Sequence, residues 1–217
     1  MGSNKAAPPA HYPAIAGDAD KAAQDGYADD AALVARCLAR EAAAQRELFR
    51  REFSRVNATL YRVLGSDREA EDLVQDTFAE VFRSLRSFRG EARLSTWIDR
   101  IACRTAYQHL SRRRQHSAGL DAATEVRDPG DAPDQRAEAR EGVRRLYAVL
   151  DGLGAETRLC LTLTLIDGRP LAEVARLLGA SAVATRVRAW RGRRALEKAA
   201  ARDPVLAAYL ADVEEDA

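Results

Sequence analysis

The sequence predicts an all-α protein of two small helical domains, an N-terminal helical bundle and a C-terminal helix-turn-helix, joined by a flexible acidic linker. No proline occurs between positions 14 and 128, a stretch rich in Ala, Arg, Leu and Glu and broken by only five glycines. Apolar residues there recur at spacings of three and four, the helical period. From 115 to 135 the periodicity stops and Asp, Gly and Pro gather in QHSAGLDAATEVRDPGDAPDQ, the composition of a linker.

Composition narrows the function classes. At 217 residues the chain suits one large domain or two small ones. Alanine supplies 44 residues and aromatics are scarce, so the apolar content fills small cores, not one thick one. The 34 basic and 33 acidic residues nearly cancel, and only Lys5, Lys21 and Lys198 are lysines. Arginine suits bidentate phosphate and base contacts, although a GC-rich coding bias gives the same skew. No window approaches the ~18 apolar residues of a membrane span, and the N-terminus has no apolar signal core, which predicts a cytoplasmic protein. Cys37, Cys103 and Cys160 fit neither a disulfide framework nor a zinc pattern and read as buried small hydrophobes. With His11, His109 and His116 alone, and no metalloprotease, P-loop or dinucleotide motif, no enzyme, metal site, cofactor or small-molecule substrate is expected.

Residues 1–28 are aperiodic and rich in Ala, Pro and Asp, the pattern of a disordered tail. The first unit, 29–114, opens with one or two helices ending at Gly65. Ser66 and Glu69 then make a capping box. Behind it Leu73, Val74, Phe78, Val81, Phe82 and Leu85 form a buried face, opposite a stripe of Glu71, Asp72, Gln75, Asp76 and Glu80. By composition alone that stripe reads as a solvated surface. SFRGEAR, 87–93, breaks the helix at Gly90. The next helix, from Leu94, buries Leu94, Ile98, Ile101, Ala102 and Thr105. Another of its faces carries Trp97, Arg100, Arg104, Tyr107, Ser111 and Arg114. Between 83 and 114 nine arginines face two acidic residues, a local charge of +7. Arginines neutralise phosphate and aromatic faces stack unpaired bases, so this helix suits nucleic acid, unless Trp97 and Tyr107 are partly core.

The second unit, 136–202, centres on 171–199. Pro170 suits a helix's first turn, and Leu171, Val174, Ala175 and Leu178 make an apolar face. Gly179 permits a left-handed turn and Ser181 caps a basic helix bearing Arg186, Arg188, Arg191, Arg193, Arg194 and Lys198. Two short helices around a glycine turn, the second basic, form the helix-turn-helix pattern, with a helix sized for the major groove. Val183, Val187 and Trp190 share one side and are expected in the core. Residues 203–217 form a helical extension.

The chain resembles the extracytoplasmic-function (ECF) RNA polymerase sigma factors over 29–114 and 140–199. SDREAEDLVQDTFAEVFRSLRSFRGEARLSTWIDRIACRTAYQHLSRRR is similar to the family's second conserved region, and LDGLGAETRLCLTLTLIDGRPLAEVARLLGAS with RGRRAL is similar to its fourth. The resemblance implies that Asp72, Leu73, Gln75 and Asp76 dock on the β′ clamp helices of core RNA polymerase, with the β flap a further contact. It implies that Phe88, Arg89, Trp97, Arg100, Arg104, Tyr107, Gln108, Arg112 and Arg113 melt and hold the −10 element of promoter DNA. Ser181, Arg186, Arg188, Arg191 and Arg193 would read the −35 element as duplex. An anti-sigma factor is a further implied partner.

This chain departs from the family at reading positions. Arg104 and Gln108 stand where Asn and Asp are usual, and Val183 to Arg188 (V-A-T-R-V-R) stand where G-T-V-K-S-R is usual. Gly154 replaces a proline. The scaffold is kept while the readers differ, which implies an unusual promoter sequence. The alternative is a two-module DNA-binding regulator that does not recruit polymerase and has no use for the acidic stripe.

Overall fold

The computed structural model describes residues 16–117 and 135–215. They form nine α-helices: α1 (Ala16–Leu38), α2 (Ala42–Leu64), α3 (Asp67–Ser84), α4 (Leu94–Ser117), α5 (Gln135–Asp151), α6 (Ala155–Leu161), α7 (Leu171–Leu178), α8 (Ala182–Ala200) and α9 (Pro204–Glu215). No strand occurs among the described residues, as the helical spacing predicts.

The first unit, α1 to α4, packs around Leu48, Leu60, Leu64, Val81, Leu94 and Ile98. Gly65 ends α2 in the left-handed region at φ 75°, where the N–H it donates to Tyr61 O closes the last turn. Only half of the capping box forms. Ser66 accepts from the Glu69 backbone at 3.4 Å, while the Glu69 carboxylate turns to Arg113 at 3.2 Å. Helix α1 begins at Ala16, inside the stretch the sequence assigns to a disordered tail. Alanine favours helix, and the later part of α1 is anchored through Asp30, Leu33, Val34 and Cys37. Buried Asp30 caps α4 from afar, accepting the Leu94 N–H at 2.9 Å. Burial raises the Asp30 pKa, but the Leu94 N–H, Arg93 and Arg51 outweigh it and leave the carboxyl below its usual range.

The second unit has a core of Leu146, Tyr147, Leu150, Leu161, Leu196 and Leu206. Asp203 caps α9 by accepting the backbone N–H of Val205 at 3.1 Å. The Tyr209 ring fills the space that a Cβ on Gly142 of α5 would take. The extension is therefore part of the second core. Between α6 and α7, Thr162–Ile166 widens into a π-helical turn. Gly179 is left-handed at φ 61° and Ser181 accepts the Ala184 N–H at 3.1 Å, giving the expected helix-turn-helix joint. The buried face of α7 is Val174, Ala175 and Leu177; Leu171, expected there, is exposed.

The two units are docked. Leu159 of α6 belongs to the first core, and Cys103 of α4 packs with Cys160, Leu163, Val174 and Leu177 of the second unit. The three cysteines are free and buried, as their spacing predicts. Residues 1–15 of the expected tail and 118–134 of the expected linker lie outside the described residues, and α4 runs to Ser117, inside the expected linker span.

Candidate polymerase and promoter surfaces

Helix α3 has two unlike sides. Leu73, Val74, Thr77, Phe78 and Val81 are buried against α2 and α4. Asp72, Gln75 and Asp76 are exposed on the opposite side. Leu73, expected to touch the polymerase, is 3% exposed, because the helical period sets it beside Val74 and Thr77. It forms part of the wall of a groove of ≈570 Å³ that also takes in Asp76, Trp97, Arg104, Gln108 and Arg112. The acidic stripe and one flank of the basic helix α4 therefore meet along a single groove.

Along α4 and the loop before it, the predicted strand-facing residues occupy different surroundings. Phe88 and Trp97 pair edge to face with ring centroids 5.6 Å apart and lie half-buried against the first core. Arg89 beside them is exposed, and Gly90 takes φ 72° to turn the loop. Arg104, Gln108 and Arg112 face the groove just described. Arg100, Arg104 and Tyr107 border a second cleft of ≈640 Å³, whose far side is Glu156, Arg176 and Arg188 of the second unit. Arg113 is held by Glu69 at 3.2 Å and Asp151 at 2.8 Å, so in the docked form it ties α4 to α5.

Helix α8 reverses one expectation. Its buried residues are Thr185, Gly192 and Leu196, with Ala189 packed beside them. A Cβ on Gly192 would stand 3.0 Å from Leu161 Cδ2, so the glycine lets α8 lie flush on α6. Val183, Val187 and Trp190, expected in the core, are 71%, 40% and 62% exposed. Small residues make the close contact, which leaves the large apolar ones outside. Arg186, Arg191 and Arg193 are exposed. Arg188 is not free, since it meets Glu156 of α6 at 2.5 Å. The hydroxyl of Ser181 is taken by its capping bond.

Charges that sequence reasoning missed join the two units. Arg158 is 2% exposed and donates to Val63 O at 2.8 Å and Leu64 O at 2.9 Å, besides pairing with Asp151. Arg169 reaches Asp99 at 2.8 Å, Asp167 at 3.0 Å and Thr59 at 3.3 Å. Burial lowers the Arg169 pKa, yet the bond and charge of Asp99, with those of Asp167, carry it above the usual arginine value. Asp99 also pairs with Arg55, Asp167 with Arg62, and the Tyr147 hydroxyl donates to Arg62 O at 2.8 Å. A lone arginine inside the apolar run T-R-L-C-L was the available signal for Arg158. Nothing local marked Arg169.

The Sigma-70 region 2 family profile matches residues 48–116, the span of α2 to α4. The chain is 28% identical to the ECF RNA polymerase sigma-E factor of Haemophilus influenzae over 178 residues, 77% of this chain and 93% of that one. With the ECF RNA polymerase sigma-E factor of Escherichia coli (strain K12) it shares 30% over 138 residues, 59% of this chain and 72% of the other. The chain belongs to the ECF sigma factor family. Such a factor directs transcription initiation by RNA polymerase, and the family is not an enzyme class. Two solved structures share the fold of this sigma factor. CnrH in complex with the cytosolic domain of CnrY matches with a TM-score of 0.55 and 24% identity, covering 80% of this chain and 98% of that one. The sigma factor RpoE of Bartonella quintana, in complex with the anti-sigma factor NepR, matches with a TM-score of 0.55 and 20% identity, covering 73% and 97%. Among the described residues, no helix of this sigma factor is long and apolar enough to cross a membrane.

Proposed function

We propose that this sigma factor divides its work among three surfaces. Asp72, Gln75 and Asp76 dock on the clamp helices of core polymerase. The flank of α4, with the Phe88–Trp97 pair and the arginines Arg89, Arg100, Arg104 and Arg112, receives the melted −10 strand. The outer face of α8, through Arg186, Arg191 and Arg193, lies in the major groove of the −35 duplex. The chain works in the cytoplasm and carries no chemistry of its own, since phosphodiester formation belongs to the polymerase. CnrH and RpoE are each bound by a partner, CnrY's cytosolic domain and the anti-sigma factor NepR, which supports an anti-sigma regulator here.

The observation that carries the polymerase assignment is the two-sidedness of α3. Its apolar side is fully used in the core, while Asp72 and Asp76 form no ion pair among the described residues. That acidic face is surplus to folding. The double reversal Asp72→Arg with Asp76→Arg is expected to abolish co-purification with core polymerase while far-UV circular dichroism stays unchanged. Undiminished co-purification would turn the assignment to a two-module regulator that does not recruit polymerase.

A further inference from the structure

Helix α8 presents its large apolar residues to the outside and its small ones to the core. Val183, Val187 and Trp190 lie at i, i+4 and i+7 on one exposed stripe. Nothing in the packing of the second unit requires them there, because Thr185, Ala189, Gly192 and Leu196 complete the inner side. Exposed arginines flank the stripe at 186, 191 and 194, and the single acid of α8 is Glu197, near its far end. A surface with that charge suits a polyanion. An acidic duplex with apolar groups in its groove matches both features.

We infer that Val183 and Val187 read the 5-methyl groups of thymine in the −35 duplex, so that the apolar stripe sets base choice together with Arg186. The inference rests on the placement of α8 in the major groove proposed above. Val183 is the second residue of α8, and the first turns of a recognition helix are those that reach base edges. Thymine is the one base that offers a methyl group in that groove. Other side chains near the helix start are engaged elsewhere. Thr185 is buried, its hydroxyl donating to Ser181 O at 3.0 Å, and Arg188 is paired with Glu156. Trp190 follows Val183 by about 10 Å along the axis, at ~1.5 Å per residue, where its ring meets the sugar–phosphate wall.

The test uses the full chain bound to core polymerase and a randomised duplex library. Selected duplexes are expected to carry thymine at one or two neighbouring positions. Uracil at such a position removes only the methyl group and should weaken wild-type binding about fourfold, the equivalent of one buried methyl. At the position Val183 meets, Val183→Ala holoenzyme should bind the thymine and uracil duplexes equally, while a thymine met by Val187 keeps its uracil penalty. The variant tests recognition, because a side chain 71% exposed contributes little to folding. A Val183→Ala protein that keeps the full uracil penalty at every selected thymine, or a selection without thymine, overturns the inference. So does an unchanged selection profile in that variant, the result expected if the stripe serves a protein partner. Arg186→Ala separates the two levels. If it weakens every duplex while Val183→Ala changes nothing, the groove placement stands and methyl reading falls. If neither variant alters duplex binding, the placement falls, and methyl reading with it.

Discussion

Arg158 satisfies groups from both units at once. Its guanidinium closes the carbonyls of Val63 and Leu64, left open by the last turn of α2, and pairs with Asp151 at the end of α5. Burial lowers its pKa, but an arginine so placed remains charged. Arg158→Ala removes that charge and leaves two backbone carbonyls without their donor, while Asp151 keeps Arg113. The expected cost is about 2–5 kcal/mol, measurable by urea unfolding. Asp30 gives a pH-dependent counterpart. Its folded pKa lies below the ordinary 3.8, so its contribution is fully present above that value and is lost as pH falls through the lower folded one. Asp30→Asn should be less stable than wild type by about 1.5–3 kcal/mol at neutral pH, with the gap closing as pH falls through the lowered folded pKa. A gap that persists in acid would show that the carboxylate's charge is not what stabilises the capped start of α4.

Within the helices, the sequence was most legible where a local pattern fixes the geometry. Gly65, Gly179 and the Ser181 cap act where the chain's own spacing puts them. The acidic and buried sides of α3 also followed from period alone, except that Leu73 was counted on both and belongs to the core. Helix α8 turns the opposite side inward from the one expected, for a physical reason. Apolar periodicity identifies a stripe but does not say which side of the helix faces in, and here close approach to α6 selected Gly192 and Thr185 over Val183 and Trp190. Gly192→Leu should drive a side chain into Leu161 and destabilise the protein by about 1–3 kcal/mol. Val183→Ser should lie within about 0.5 kcal/mol of wild type. Thermal melts of the two variants check the assignment of sides, and the reverse ranking would refute it.

At the scale of the whole molecule, two helical units and their order were readable, but their docking was not. A charge on a helix surface has the same local pattern whether water or a distant carboxylate receives it. Arg169 lies 70 residues from Asp99 and 110 from Thr59, beyond any periodic signal. In the docked form Arg100, Arg104 and Tyr107 look across a cleft at Arg176 and Arg188, and on the division of surfaces proposed above α4 and α8 would reach two separated promoter elements only once the units part. Arg169→Glu should part them, by placing a fourth carboxylate among Asp99, Asp167 and Glu173. Each unit is expected to keep its fold in this variant, because Asp99 keeps Arg55 within the first unit and the carboxylates on the second regain water. Cys103 reports the event. In the docked form it is buried against Val174 and Leu177, and burial pushes its thiol up to about 12, which makes it a poor nucleophile. The variant should therefore show a larger radius of gyration by small-angle X-ray scattering, rapid labelling of Cys103 by a thiol reagent, and unchanged helicity. Labelling followed in a Cys37→Ala, Cys160→Ala background assigns the signal to Cys103. A variant that stays at the wild-type radius with Cys103 protected would show that apolar contact through Leu159, Cys160 and Leu163 holds the units together without the ion pairs.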